Sequence, residues 1–145
     1  MNDAAPSKIT KVVHDLPYGF GRLLHEAHFE AAVATASTAL EAQGFSIAAK
    51  IDLQKTLRAR LQVDFRRYVI LAVCDVALAQ RALEVDPHIG LLLPSNVVIQ
   101  EGAGSGLYVA VETSQQLFQF TDHPRLKSIA LETERRLRRA VDGMG

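Results

Sequence analysis

A continuous apolar run at the centre of the chain constrains the fold more than any other feature. Residues 68–73 read YVILAV, without polar alternation, which is typical of a strand covered on both faces, although periodicity alone does not exclude a buried helix. Asp75 follows at once, and the next apolar residues fall at helical spacing, so we predict Asp75 as the N-cap of a helix. The Asp86-Pro87 pair should end that helix, because proline disfavours the α conformation in the residue before it.

The flanking segments predict alternating strands and helices. Before the central run we expect strands at residues 20–24 and 45–51, a helix from His28 that stops at Gly44, and a helix capped by Asp52. The core face of that second helix would be Leu53, Leu57 and Leu61. After the central run we expect strands at residues 97–101 and 107–112, then a last helix opened by Pro124.

The closing pair of strands favours an α+β fold. Its glycine-rich linker, residues 102–106, is typical of a flexible hairpin loop and requires antiparallel pairing; a phosphate loop would run from a strand into a helix. We therefore predict one two-layer domain over residues 18–145, with a mainly antiparallel sheet of about five strands, helices packed on it and a C-terminal helix. Residues 1–17 are predicted to form an N-terminal lead-in.

Composition excludes several classes of partner. Lys and Arg number 16, and Asp and Glu also number 16, so no net charge favours nucleic acid or a membrane surface. No run approaches the roughly 20 apolar residues that span a bilayer. A single cysteine and a polar N-terminus without an apolar signal region are typical of a cytoplasmic protein, which we predict.

An ordered series of short motifs runs from about residue 20 to residue 118. The motifs are Gly44-Phe45, Ile51-Asp52, VDFR at 63–66 with Tyr68, Cys74, Ala79, Ala82-Leu83, and GLLLP at 90–94 with Asn96-Val97-Val98. In this order and spacing they resemble the domain-of-unknown-function 302 family. The resemblance implies a small α+β domain, one sheet with helices packed on it, often paired as a homodimer. The family's activity is not established, so the resemblance implies no particular reaction.

The chain departs from the family pattern at two positions. Relatives commonly read Ala-Cys-Asn-Pro where this chain has Val73-Cys74-Asp75-Val76. They also commonly carry a second cysteine where this chain has Ser95. The departures imply that two-thiol chemistry within one subunit, as a redox couple or a metal clamp, is absent from this member.

Cys74 is the one candidate nucleophile. A thiol at a strand exit beside a helix N-terminus tends toward the thiolate and can sit beside a bound anion, with His88 as a candidate activating group. The alternative is a buried cysteine that packs as a small hydrophobic residue at the end of a core strand. Nothing in the sequence places a base beside it, so we favour the packing role. A thiol-dependent enzyme, or a redox or sulfur sensor using Cys74, is the alternative function.

Two further patterns receive structural interpretations. His25 and His28 form a His-x-x-His pattern, but zinc proteases need one more residue between the histidines and a distant third ligand, so we predict no metal site. Basic residues cluster in two segments, and aromatic residues are not interleaved with them, so we predict solvated faces and no nucleic-acid partner. The clusters are Lys50, Lys55, Arg58, Arg60, Arg66 and Arg67, then Arg135, Arg136, Arg138 and Arg139.

The predicted binding site lies where strands meet helices and turns. Cys74 and Asp75 stand at the exit of the central strand, and Pro94, Ser95 and Asn96 follow the leucine run that leads into the next strand. Such junctions are the usual location of small-ligand sites. We predict a self-associating module that binds an unknown small molecule there, needs no cofactor and performs no catalysis.

Overall fold

The protein, as a computed structural model, is described over residues 14–102 and 106–145. Its six strands form one antiparallel sheet in the order β1-β2-β6-β5-β4-β3. The strands are β1 (His14–Leu16), β2 (Gly19–Leu24), β3 (Ser46–Asp52), β4 (Tyr68–Cys74), β5 (Ser95–Glu101) and β6 (Leu107–Glu112). The helices are α1 (Phe29–Ala42), α2 (Leu53–Leu61), α3 (Val76–Val85) and α4 (Pro124–Asp142), with 3-10 helices at Pro87–Leu92 and Ser114–Gln119.

This architecture confirms the predicted α+β class, the antiparallel sheet and the C-terminal helix. The sheet has six strands where about five were predicted. The additional strand is β1, which lies in the stretch expected to be a lead-in and pairs with β2. Residues 1–13 of that lead-in and the loop tip at residues 103–105 lie outside the described part. The partition into a lead-in and one domain stays a prediction.

Local signals in the sequence set the helix boundaries. Asp52 accepts a hydrogen bond from the Lys55 amide at the start of α2, and Asp75 accepts one from the Leu78 amide at the start of α3. Gly44 has a φ of +93° just after α1, a backbone conformation that favours glycine. Pro124 occupies the first turn of α4, where its missing N–H costs no hydrogen bond. These four predictions are confirmed.

The two faces of the sheet have different surroundings. Along β4, Val69, Leu71 and Val73 are buried in the main core with apolar residues of α1 and α4. The intervening Ile70 and Ala72 point to the opposite face and are only half-buried. The prediction that this strand is covered on both faces is therefore wrong, because the helices of the main core pack on one side of the sheet.

Helix α2 differs from its predicted packing. None of its residues is buried, and Leu61 is 62% exposed, so the predicted core face of Leu53, Leu57 and Leu61 is wrong. The helix connects the edge strand β3 to β4 outside the layer formed by α1 and α4, where little of the core is within reach. In residues 14–102 and 106–145, no helix combines the length and apolar character needed to cross a membrane.

Candidate functional site

A pocket of about 340 Å³ lies where the leucine–proline turn meets one end of the sheet and α4. The turn leads from the 3-10 helix Pro87–Leu92 into β5, and the Leu93–Pro94 peptide bond is cis. One wall is aliphatic and belongs to α3, the turn and α4: Ala82, Ile89, Leu91, Leu92, Leu93, Pro94, Ile129 and Ala130. The polar lining comes mostly from the ends of β5 and β6: Ser95, Asn96, Glu112, Thr113, Ser114 and Thr133.

The aliphatic wall rests on a small second core. Ala82, Ile89 and Leu126 are buried together there, and Leu93 and Ile129 pack against them. Burial of this kind holds the turn against α3 and α4 by the removal of apolar surface from water. The pocket is therefore shaped by packed elements rather than by a free loop.

Glu112 is the charged group of the pocket. Its Oε1 atom accepts a hydrogen bond from the Asn96 amide at 2.7 Å across the β5–β6 pair. Burial raises the pKa of the Glu112 carboxyl above its ordinary value, and the Asn96 hydrogen bond opposes part of that rise. The pocket thus contains a partly desolvated carboxylate beside an apolar wall.

Glu134 supports the polar wall from behind. This residue of α4 is buried, and its Oε1 atom accepts hydrogen bonds at 2.9 Å from the Thr113 hydroxyl and from the Ser114 amide. Its Oε2 atom accepts from Arg138 Nε at 3.1 Å. Glu134 therefore fixes the segment that follows β6, although it does not line the pocket itself.

The five predicted site residues do not share one cavity. Pro94, Ser95 and Asn96 line the pocket described above. Cys74 and Asp75 line a much smaller cavity of about 30 Å³ that shares Leu93, Ser95 and other lining residues with the first. Cys74 also lines an open depression of about 380 Å³ beside α3. The leucine–proline turn is thus close to the cysteine.

Asp75 is occupied by structural contacts. The carboxylate is buried, accepts a hydrogen bond from the Leu78 amide at 3.0 Å, and forms an ion pair with Arg136 of α4. The positive end of α3 is therefore already neutralised by a residue of the chain. Asp75 fastens α3 to α4 and places a negative charge at the helix terminus, which disfavours a bound anion there.

The surroundings of Cys74 disfavour a thiolate. Burial, and then the negative charge of Asp75, raise the pKa of the Cys74 thiol above its ordinary value. This direction argues against a thiolate stabilised by the helix N-terminus, because Asp75 takes the favourable position and adds a negative charge. His88, the candidate activating group, is exposed and lies 3.8 Å from Asp86.

We therefore expect Cys74 to react slowly with iodoacetamide in the native protein at pH 7. The raised pKa reduces the thiolate fraction, and the thiolate is the reacting species. The alkylation rate is followed by mass spectrometry as a function of pH. The midpoint, the pH at which the rate is half its maximum, should be higher in the native chain than in the same chain unfolded in urea. A native midpoint below the unfolded one would contradict this environment and restore the thiol-based alternative.

The remaining candidates have separate locations. His25 and His28 are both exposed in the connection between β2 and α1, and His28 makes no side-chain cap there. Across the described ranges, no group of three or more His, Cys, Asp or Glu side chains is placed to hold a metal ion. Several of the clustered arginines form ion pairs with carboxylates of this chain, among them Arg67 with Glu30 and Arg138 with Glu134.

Sequence reasoning missed the β6 side of the pocket. Glu112, Thr113 and Ser114 were not singled out, although a charged residue at the end of a hydrophobic strand was a usable signal. Their closeness to Asn96 depends on the β5–β6 register, in which Val97 pairs with Val111.

Comparisons with known proteins agree with this architecture. No curated protein matches the chain. A solved structure, described as the crystal structure of an uncharacterized conserved protein DUF302 from Bacillus stearothermophilus, matches with a TM-score of 0.80 at 21% identity. The match covers 90% of this chain and 100% of that one, and at this identity it shows the fold alone. The family model described as domain of unknown function DUF302 matches residues 22–144, and the chain therefore belongs to the DUF302 family.

Proposed function

We propose that this protein is a small-molecule binding module whose site is the pocket beside the leucine–proline turn. The observation that carries the proposal is a cavity of about 340 Å³ lined by eight aliphatic residues and six polar ones. Ligand sites are typically mostly apolar clefts of roughly 300–1,000 Å³ with a few placed polar groups. The pocket has this size and composition.

Binding without catalysis fits the state of the polar groups. The Thr133 hydroxyl donates to the Ile129 carbonyl at 2.9 Å, and the Thr113 hydroxyl donates to Glu134. Nucleophilic catalysis needs a nucleophile activated by a base within hydrogen-bond reach. Glu112 is the one titratable residue among the described residues that line the pocket, and its Oε1 atom accepts a hydrogen bond from the Asn96 backbone amide.

A titration with 1-hexanol tests the binding proposal. In ¹H–¹⁵N NMR spectra, the alcohol should shift the amide signals of Leu93, Ser95 and Ala130, which line the pocket. Ser95→Phe should abolish these shifts by filling the pocket. Thr56→Phe adds the same ring at an exposed position of α2 and should leave the shifts unchanged.

Two results would overturn the proposal: shifts that miss the pocket in the parent protein, or shifts that persist in folded Ser95→Phe. The dispersion of the variant's own spectrum reports whether it folds. If Ser95→Phe does not fold, Ser114→Phe fills the same pocket from the opposite wall.

We also propose that two copies of the chain associate through the open sheet face. We define this face by Ile51, Ile70, Ala72, Val98 and Ala110. Register places Ile51, Ile70 and Val98 in one row across three strands, and Ile51 is 44% exposed. An exposed apolar row of this kind marks an interaction site more often than a solvent-facing one.

The dimensions of the face fit a second copy. The four strands that contribute to it, about 4.8 Å apart and about six residues long, give a face on the order of 400 Å² before side-chain relief is added. Small specific interfaces bury about 600 Å² per partner. The chain has equal numbers of acidic and basic residues, so two copies meet without net repulsion.

A further inference from the structure

Glu112 is a carboxylate with one engaged oxygen and one open oxygen. Its Oε1 atom accepts from the Asn96 amide, and no cation within residues 14–102 and 106–145 forms an ion pair with it. The other carboxylates near the second core differ in this respect, since Asp75 and Glu134 each have an arginine partner. Glu112 is thus a charge on the pocket lining without a counterion among the residues that the structure describes.

A partly buried carboxylate of this kind selects among ligands. Burial removes water from the carboxylate, which costs free energy. A bound hydrogen-bond donor or cation offsets that cost, whereas a bound anion adds to it. The aliphatic residues of the same lining offer contact to a hydrocarbon body. The pocket therefore complements a molecule with both an apolar part and a cationic head.

We propose that the pocket recognises small aliphatic amines and that Glu112 binds the ammonium group while the leucine–proline turn covers the hydrocarbon chain. This inference rests on the proposed function and adds the chemical class of the ligand. It excludes carboxylate and phosphate ligands from this pocket.

Three probes with the same six-carbon body test the inference: hexylamine, 1-hexanol and hexanoate. In NMR titrations at pH 7, hexylamine should bind the parent protein more tightly than 1-hexanol, and hexanoate should bind most weakly. Glu112→Gln keeps an oxygen for the Asn96 amide but removes the charge. It should weaken hexylamine about tenfold or more, as expected for loss of a charged hydrogen bond, and weaken 1-hexanol by a clearly smaller factor.

The pH dependence supplies a second readout. Hexylamine stays protonated below its pKa of roughly 10, so only the pocket changes charge in the acidic range. Glu112 is the one titratable side chain on the described pocket lining, and Glu134 behind the wall is held by Thr113, Ser114 and Arg138. Because burial raises the pKa of Glu112, hexylamine affinity should fall as the pH is lowered, starting above the usual carboxyl range. Glu112→Gln should lack this dependence.

The outcomes separate the inference from the function on which it rests. If 1-hexanol binds the pocket but hexylamine binds no more tightly, or if Glu112→Gln leaves hexylamine affinity unchanged, the amine specificity is wrong and the binding site stands. If none of the three probes shifts the pocket residues, the proposed function itself is wrong.

Discussion

Replacing Glu134 with alanine is expected to lower the free energy of unfolding by about 2–4 kcal/mol. The variant removes a buried acceptor, so the Ser114 amide and the Thr113 hydroxyl lose their contacts with it. Arg138 loses the partner that lies one helical turn away. Urea denaturation at pH 7 followed by circular dichroism measures the change.

Two further variants make this result specific. Glu134→Gln retains an oxygen acceptor and should recover part of the loss, whereas Glu41→Ala removes an exposed carboxylate from α1 and should cost less than about 0.5 kcal/mol. Because Glu134 fixes the pocket wall, Glu134→Ala should also weaken 1-hexanol binding under conditions where the protein is folded. A Glu134→Ala protein as stable as Glu41→Ala would contradict the positioning role.

Replacing Ile70 with aspartate is expected to convert a dimer into a monomer. Ile70 lies between Ile51 and Val98 in the central row of the open sheet face. A carboxylate there would be buried without a partner by the second copy, at a cost of several kcal/mol per ion, which exceeds what a modest interface can offset. Sedimentation equilibrium of the parent protein and of Ile70→Asp measures the two masses.

Leu131→Asp is the matched control. Leu131 is 54% exposed on the outer surface of α4, so the variant adds the same charge on the helical layer instead of the open sheet face. It should keep the dimer mass. A monomeric parent protein, or a dimer disrupted by Leu131→Asp and not by Ile70→Asp, would overturn the proposed interface.

The sequence predicted the features of the fold that depend on local chemistry. Caps at Asp52 and Asp75, the left-handed residue Gly44 and the helix start at Pro124 each follow from interactions within a few residues. Five of the six strands followed from apolar runs bounded by turn residues, whereas β1 was not predicted. The fold class could therefore be predicted from the sequence alone.

Contacts between residues far apart in the sequence could not be predicted in the same way. The ion pair between Asp75 and Arg136 joins residues 61 positions apart, so the capping signal at Asp75 did not reveal its second role. Asp75 also adds a negative charge beside Cys74, and burial together with this charge raises the pKa of the thiol. The apolar run of β4 likewise gave no indication of which face would stay uncovered.

Only part of the lining of the candidate site was predicted from the sequence. Pro94, Ser95 and Asn96 stood out because they follow a leucine run at a strand start, and they do line the pocket. The opposite wall required the strand register, which places Glu112 beside Asn96. Adjacent strands of a hairpin can pair in several registers, and side-chain alternation alone did not select one around the glycine-rich loop.

The most direct measurement is a crystal structure determined from crystals grown with 1-hexanol. We expect ordered alcohol between the leucine–proline turn and α4, with its hydrocarbon chain against Leu93 and Ile129 and its hydroxyl toward the polar wall. Alcohol ordered only elsewhere, with this pocket empty, would contradict the account.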